Sequence, residues 1–193
     1  MISEAYSETV YVADFTDYVS KNGKDAAPCS GVLVGKQENG IIPSFVLTDD
    51  NSHPFIVVNN EKNGALYTKD DGCKVSQCEC IIYADRHDNR KGWMIFLELK
   101  YCEEKNLYGN MLDGIDQLKA TCKYILEEKD VFDTKLFKKY LVISTPGTAP
   151  LDPFDAFYFD QDFMLAVKSE SSGGILKATN VAHIQTPAVI DFE

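Results

Sequence analysis

Residues 78–102 read CECIIYADRHDNRKGWMIFLELKYC. Two apolar runs flank the polar segment 85–92, the pattern of two strands joined by a hairpin loop. The first strand is expected over 75–84 (VSQCECIIYA) and the second over 93–102 (WMIFLELKYC). Three charged residues interrupt the apolar pattern: Glu79, Glu98 and Lys100. Side chains alternate across a strand, so Glu98 and Lys100 share a face with Met94 and Phe96, while Leu97, Leu99 and Tyr101 take the other. On the first strand Glu79 shares a face with Ile81 and Tyr83. An antiparallel pairing brings Glu79 close to Glu98, and both carboxylates converge with the Lys100 ammonium at one end of the hairpin.

Buried charges need partners. Two carboxylates alone repel and raise one pKa. A divalent cation between them removes the conflict, and hard oxygen ligands suit Mg²⁺ or Mn²⁺. A cation so held polarises a phosphoryl oxygen and activates water. Lys100 would stabilise developing negative charge or position the attacking water. Taken alone, the three residues read more simply as a Glu98–Lys100 salt bridge at an exposed strand end, with Glu79 solvated. Their context decides between the readings.

That context is mixed α/β. The segment 111–129 (MLDGIDQLKATCKYILEEK) is the clearest helix, with Ile115, Leu118, Cys122 and Ile125 as its apolar stripe and Leu126 alongside. The residues before it, 103–110, read as a loop. FKKYLVIST (137–145) follows as a strand, so the helix can cross over between it and 93–102. Upstream, GVLVG (31–35) and PSFVLT (43–48) read as a hairpin around QENG, and PFIVVNN (54–60) as a further strand; 61–64 and 68–72 read as turns. Residues 3–21 mix helical spacing with the β-branched run TVYV, and helix is favoured. Residues 154–170 fit helix or strand. GILKAT and VAHIQT suggest a terminal hairpin with Thr179–Asn180 at the turn. The expected architecture is a mixed central sheet flanked by helices, in one domain spanning 1–193 with its core at about 40–145.

The order of acidic residue, loop, and hydrophobic run ending in E-x-K resembles the PD-(D/E)xK nuclease superfamily, the restriction-endonuclease-like proteins. The motif stands here as Cys78–Glu79 and Glu98–Leu99–Lys100, followed by a helix bearing Asp116–Gln117–Leu118. The likeness covers about residues 75–145 and implies an αβββαβ core. It implies Glu79 and Glu98 as metal ligands together with the Leu99 carbonyl, Lys100 as the catalytic lysine, and Gln117 lining the site, with Thr121 and Tyr124 one and two turns on. It implies Mg²⁺ (or Mn²⁺) and a nucleic-acid substrate, DNA before RNA, with a homodimer as a common arrangement. This sequence departs from the pattern in three ways. Glu79 stands where Asp, often preceded by Pro, is usual. Thr121 occupies the position where many members carry Tyr. The upstream glutamate of an early helix has only two candidates, Glu8 and the weaker Glu61.

Composition bounds the rest. The 193 residues are 45% hydrophobic and 25% charged, ordinary for a globular chain with a real core. The formal net charge of −11 argues against nonspecific coating of nucleic acid. It suits the rival reading, a catalytically inactive nuclease-like module that binds a protein partner as an immunity- or regulator-type protein. Lys119, Lys123, Lys135, Lys138 and Lys139 form a modest basic cluster that either meets a nucleic-acid backbone or balances the acids. No apolar run reaches the ~18 residues of a membrane span, and the first residues lack the pattern of a signal peptide. A cytoplasmic protein is therefore expected. In that setting the cysteines are expected as buried thiols, with Cys78 and Cys80 on one face of their strand. Cys73, Cys78, Cys80 and Cys102 lack knuckle spacing for zinc. His53, His87 and His183 are scattered and read as structural or surface residues, and Asp49–Asp50 and Asp70–Asp71 as solvated turns.

Overall fold

Strand β7 (Gly92–Leu99) is buried at all eight positions. A strand covered on both faces tolerates such a continuous apolar run, and the computed structural model shows both covers. It describes residues 1–23, 31–36, 42–84, 91–129, 131–147 and 160–193. The tip of the expected hairpin (85–90), the segments 37–41 and 148–159, His87 and Cys29 lie outside the described residues.

The protein is α/β, with two mixed sheets flanked by helices. The first sheet runs β1 (Glu4–Tyr6), β5 (Phe55–Asn59), β6 (Cys80–Ala84), β7, β8 (Phe137–Ser144), β9 (Ile175–Ala178). Pairing is antiparallel from β1 to β7 and parallel from β7 to β9. The second sheet runs β11 (Val189–Phe192), β10 (Val181–Thr186), β4 (Phe45–Thr48), β2 (Val10–Asp14), β3 (Val32–Gly35). Helix α2 (Leu107–Lys123) crosses between the parallel strands β7 and β8 and continues into one π-helical turn, Tyr124–Glu128.

The alternation of β7 sorts two cores. Trp93, Ile95, Leu97 and Leu99 pack with the second sheet, around Phe45, Leu47 and Val12. Met94 and Phe96 pack under α2 and α3 (Gln161–Glu170), against Ile115, Leu118 and Val167. Glu98 belongs by alternation to the helix side. The expected stripe of α2, including Ile125 and Leu126, is buried there.

Several expectations are corrected. Residues 3–21 are not one helix. They form β1 and β2, and only then α1 (Phe15–Asn22), which Asp14 caps by accepting the N–H groups of Thr16 and Asp17 at 2.8 and 3.1 Å. Strands β3 and β4 are not a hairpin, because β2 lies between them and pairs with both. Residues 61–67 are 3₁₀-helical, not a turn. Residues 104–110 are helical, not a loop. Strands β9 and β10 do not pair with each other but belong to different sheets, and β10 pairs with β11 and β4. The first motif strand begins at Cys80 rather than at residue 75. Cys78 and Cys80 therefore fall in different cores, Cys78 under the helices and Cys80 against the second sheet. Cys73, Cys78, Cys80, Cys102 and Cys122 are free thiols, and Cys73 is exposed. Among the described residues no helix is long and apolar enough to cross a membrane.

Candidate active site

The β6/β7 ladder pairs Cys80 with Leu97 and Ile81 with Phe96. Continued by one residue, the same register sets Glu79 against Glu98. The ladder stops there because Glu79 answers β7 with its side chain: Oε2 accepts the Leu99 N–H at 3.0 Å. The backbone carbonyl of Glu79 still accepts from Asn60 N–H at 2.9 Å, which holds the residue to the end of β5. One position earlier the Cys78 N–H donates to Thr121 Oγ1 of α2 at 2.8 Å. The chain changes partners within two residues, and the change turns the Glu79 carboxyl toward the end of β7.

Lys100 lies just past β7. Its N–H donates to the Ser144 carbonyl at 2.8 Å and continues the parallel pairing with β8. Its side chain stays on the Glu98 face. Lys100 Nζ pairs with Glu98 Oε1 and donates to Gln117 Oε1 at 2.7 Å. The Glu98 side chain is 0% exposed, and that of Lys100 16%. Gly114 admits α2 to this spot, since a Cβ there would stand 3.2 Å from both Glu98 Cγ and Lys100 Cε.

The electrostatics follow from crowding. Burial, then the neighbouring Glu98 charge, raises the Glu79 pKa well above the usual carboxylate range; Lys100 and the Leu99 N–H oppose the shift. Burial also raises Glu98, opposed by the hydrogen bond from Glu79 and by Lys100. The two carboxyls are within hydrogen-bonding reach of each other, and burial and mutual repulsion oppose the ionisation of both, of Glu79 most. Burial pulls the Lys100 ammonium down, but Glu98, Glu79 and Asp17 together carry it above its ordinary value.

The structure brings together all five residues singled out in the sequence: Glu79, Glu98, Leu99 through its backbone, Lys100 and Gln117. Of the upstream candidates, Glu8 is exposed in the turn between β1 and β2. Glu61 is occupied elsewhere, accepting the Val32 N–H at 2.7 Å. The acids that do approach come from the start of α1. Asp17 Oδ2 accepts the Tyr101 N–H at 2.9 Å, and the charge of Asp14 is felt by Glu98. Their only sequence signal is the D-F-T-D run, in which one aspartate caps the helix and the next faces the end of β7. Thr121 has a larger part than its spacing suggests. It stands one turn beyond Gln117, fully buried, and fixes the segment leading to Glu79. Tyr124 packs against Tyr67, with ring centroids 6.3 Å apart, and does not line the site.

The remaining sequence candidates serve structure. Asp49 is buried, not solvated, and accepts from Asn51 N–H at 2.9 Å and pairs with His53 at 3.0 Å. His183 bonds Thr48 and Glu193 on the second sheet. Asp71 caps its turn by accepting Cys73 N–H at 2.9 Å. Lys119 pairs with Asp116 and Glu170 at 2.8 and 2.9 Å, which removes it from the basic cluster.

The donor set fits a divalent cation. Glu98 Oε2 is buried without a hydrogen-bond donor, and a cation would relieve the repulsion that raises the Glu79 pKa. Among the described residues no three His, Cys, Asp or Glu side chains converge on one ion. The protein's share would be Glu79, Glu98 and the Leu99 carbonyl. Compared with family models, curated proteins and solved structures, the chain gives no match.

Proposed function

We propose that the protein is a metal-dependent phosphodiesterase acting on nucleic acid, DNA before RNA, through Glu79, Glu98 and Lys100. The observation that carries the reading is a fully buried Glu98 that touches both a second carboxyl and the lysine two residues on. Isolated buried carboxylates are costly, and this one lies at a strand end beside a lysine that still reaches solvent. The element order α1, β5, β6, β7, α2, β8 also agrees with the αβββαβ core of PD-(D/E)xK nucleases, with β3 and β4 diverted into a second sheet.

Mg²⁺ or Mn²⁺ held by Glu79, Glu98 and the Leu99 carbonyl would supply Lewis-acid polarisation of a phosphoryl oxygen and a more acidic bound water. The chain's own residues do the rest. Because burial and Glu98 raise the Glu79 pKa, a cation held there would favour its ionised form. The Leu99 N–H keeps the Glu79 carboxylate oriented. Lys100 presents its ammonium where charge develops on the phosphate oxygens. Gln117 fixes the lysine from α2 and leaves Glu98 only part of its charge.

The test is cleavage of single- and double-stranded DNA and RNA with Mg²⁺, Mn²⁺ or EDTA, beside Glu98→Ala and Lys100→Ala. Metal-dependent cleavage lost in both variants is expected. Cleavage that survives EDTA or both substitutions refutes the reading. The net charge of −11 favours a second reading, an inactive module binding a protein partner on the same fold. It predicts no cleavage of any substrate and no calorimetric heat with either cation.

A further inference from the structure

A groove of about 530 Å³ opens beside the Glu79/Glu98 site, between the end of the 3₁₀ helix at 61–67, the segment 74–77 and α2. Gln117 belongs to both places. It lines the groove, and its Oε1 holds the ammonium of Lys100. Gln77, on the opposite wall, stands two residues before Glu79. The groove therefore leads to the reacting centre from one side.

Its chemistry is unlike the rest of the surface. The chain has 30 acidic residues, yet among the described residues no carboxylate lines this groove. Its polar side chains include Thr68, Ser76, Gln77 and Gln117, with Lys74 the one charge among the described residues. Two other depressions mix signs: Asp70, Asp71 and Glu128 stand with Lys69 and Lys129 in one, and Glu103 with Lys21 in another. Lys74 makes no ion pair among the described residues. Its backbone is fixed by the bridge from Thr68 to Lys74, and next to it Val75 N–H donates to the Tyr67 carbonyl at 2.8 Å. The wall is thus preorganised, and no carboxylate repels an approaching phosphate.

Resting on the phosphodiesterase reading, we propose that this groove binds the nucleotides flanking the scissile phosphate, and that it takes them from an unpaired strand. Lys74 meets a backbone phosphate. The amide of Gln77 offers a donor and an acceptor to base edges, and Gln117, its oxygen held by Lys100, offers its NH₂ group. The volume matches a site for one small ligand, on the order of 300–1,000 Å³, hence one or two nucleotides. A duplex carries a phosphate charge every ~1.7 Å of its axis. Its two backbones would bring more phosphates than the single described cation of this groove, Lys74, can meet. A single strand can enter with its flanking phosphates directed away.

The experiment is fluorescence anisotropy of a labelled 12-mer single strand, as DNA and as RNA, and of the matching duplex, in EDTA so that nothing is cut. The wild-type chain should bind the single strands more tightly than the duplex. Lys74→Glu should weaken single-strand binding about tenfold and flatten the slope of log K against log salt by about 0.7, one phosphate contact on a single strand. Ser76→Asp, which puts a carboxylate into the groove at another exposed position, should act in the same direction. Lys135→Glu, just before β8 and so at the end of that strand opposite Ser144, which holds Lys100, should change little. Circular dichroism melts confirm that each variant folds. Unchanged binding in Lys74→Glu and Ser76→Asp, equal loss in Lys135→Glu, preference for the duplex, or no binding of any strand by wild type each overturns the proposal. Cleavage is scored separately with Mg²⁺. Binding that depends on Lys74 without any cleavage refutes the phosphodiesterase reading alone, and cleavage that is indifferent to Lys74 and Ser76 refutes the groove alone.

Discussion

Two glycines of α2 give an internal test of how tightly the helix closes on the site. A methyl group on Gly109 would meet nothing within 4 Å, whereas a Cβ on Gly114 would stand 2.6 Å from Ile143 Cδ1 and 3.2 Å from Glu98 Cγ and Lys100 Cε. Carbon atoms pack best at about 3.5–4.0 Å, so one of these neighbours must move by roughly 1 Å. Replacing helical Gly by Ala gains about 0.8–1.0 kcal/mol of propensity at either position. Overpacking a well-filled core costs about 1–3 kcal/mol. Gly109→Ala should therefore stabilise by up to ~1 kcal/mol. Gly114→Ala should range from neutral to ~2 kcal/mol destabilising, with the difference between the two variants equal to the overpacking cost. Urea unfolding reads this as opposite shifts of the midpoint at unchanged m. If Gly114→Ala raises the midpoint as much as Gly109→Ala, α2 does not close on Glu98 and Lys100, and the geometry argued for the site falls with it.

Three further outcomes are expected. The raised pKa of Glu79 means that the folded chain keeps a proton which the unfolded chain releases near 4.5, so without metal the Glu79 contribution is fully present below that pH and is lost as pH rises toward the folded value. Glu79→Gln should flatten that fall in melts taken from pH 4.5 to 8, and an unchanged slope would mean that Glu98 or another group carries it. Mg²⁺ or Mn²⁺ at a hundredfold excess over Kd should stabilise the wild-type chain by about 2.7 kcal/mol, seen as a rise in Tm absent from Glu98→Ala. Thr121→Val should cost about 1–3 kcal/mol by orphaning the buried Cys78 N–H, with faster hydrogen exchange at that amide and recovery in Thr121→Ser.

What the sequence disclosed, and what it hid, divides by the range of the interactions. The alternation of WMIFLEL is local, and by itself it assigns Glu98 and Lys100 to the helix side and Leu97 and Leu99 to the other core. The antiparallel register with Glu79 follows from hairpin logic. The N-terminus was illegible because two elements share one residue: Asp14 ends β2 and caps α1, so strand and helix signals overlap in the run VYVADFTDYV. The two false hairpins have a different cause. Between β3 and β4 an earlier strand intervenes, which no local pattern reports. At Thr179–Asn180 the turn is taken up by β8: Thr179 N–H donates to the Ile143 carbonyl at 3.1 Å, and Asn180 Oδ1 accepts from Ser144 Oγ at 2.7 Å and Thr145 N–H at 2.9 Å. Anchored there, the chain passes from one sheet to the other instead of folding back. The carboxylates of α1 were hidden by the same non-local closure, since nothing near Asp17 in sequence points to Tyr101.

The position of Glu79 now constrains how the site must be tested. Its carbonyl completes the pairing with β5, its side chain takes the Leu99 N–H that a further ladder residue would have engaged, and the preceding N–H is already committed to α2. Glu79 is thus the point at which strand β6 is terminated, and the extra methylene relative to aspartate is what lets the carboxyl reach across to Leu99. Alanine at this position would orphan a buried N–H, at about 1–3 kcal/mol, and loosen the strand start, so lost activity in Glu79→Ala would not separate chemistry from folding. Glutamine keeps an acceptor for Leu99 and removes the charge. Aspartate keeps the charge and gives up the reach. If the carboxylate serves only the strand, Glu79→Gln leaves cleavage and the response to metal unchanged and Glu79→Asp is the damaging change. If it also holds a cation, Glu79→Gln abolishes the metal-dependent rise in Tm while leaving the metal-free fold intact.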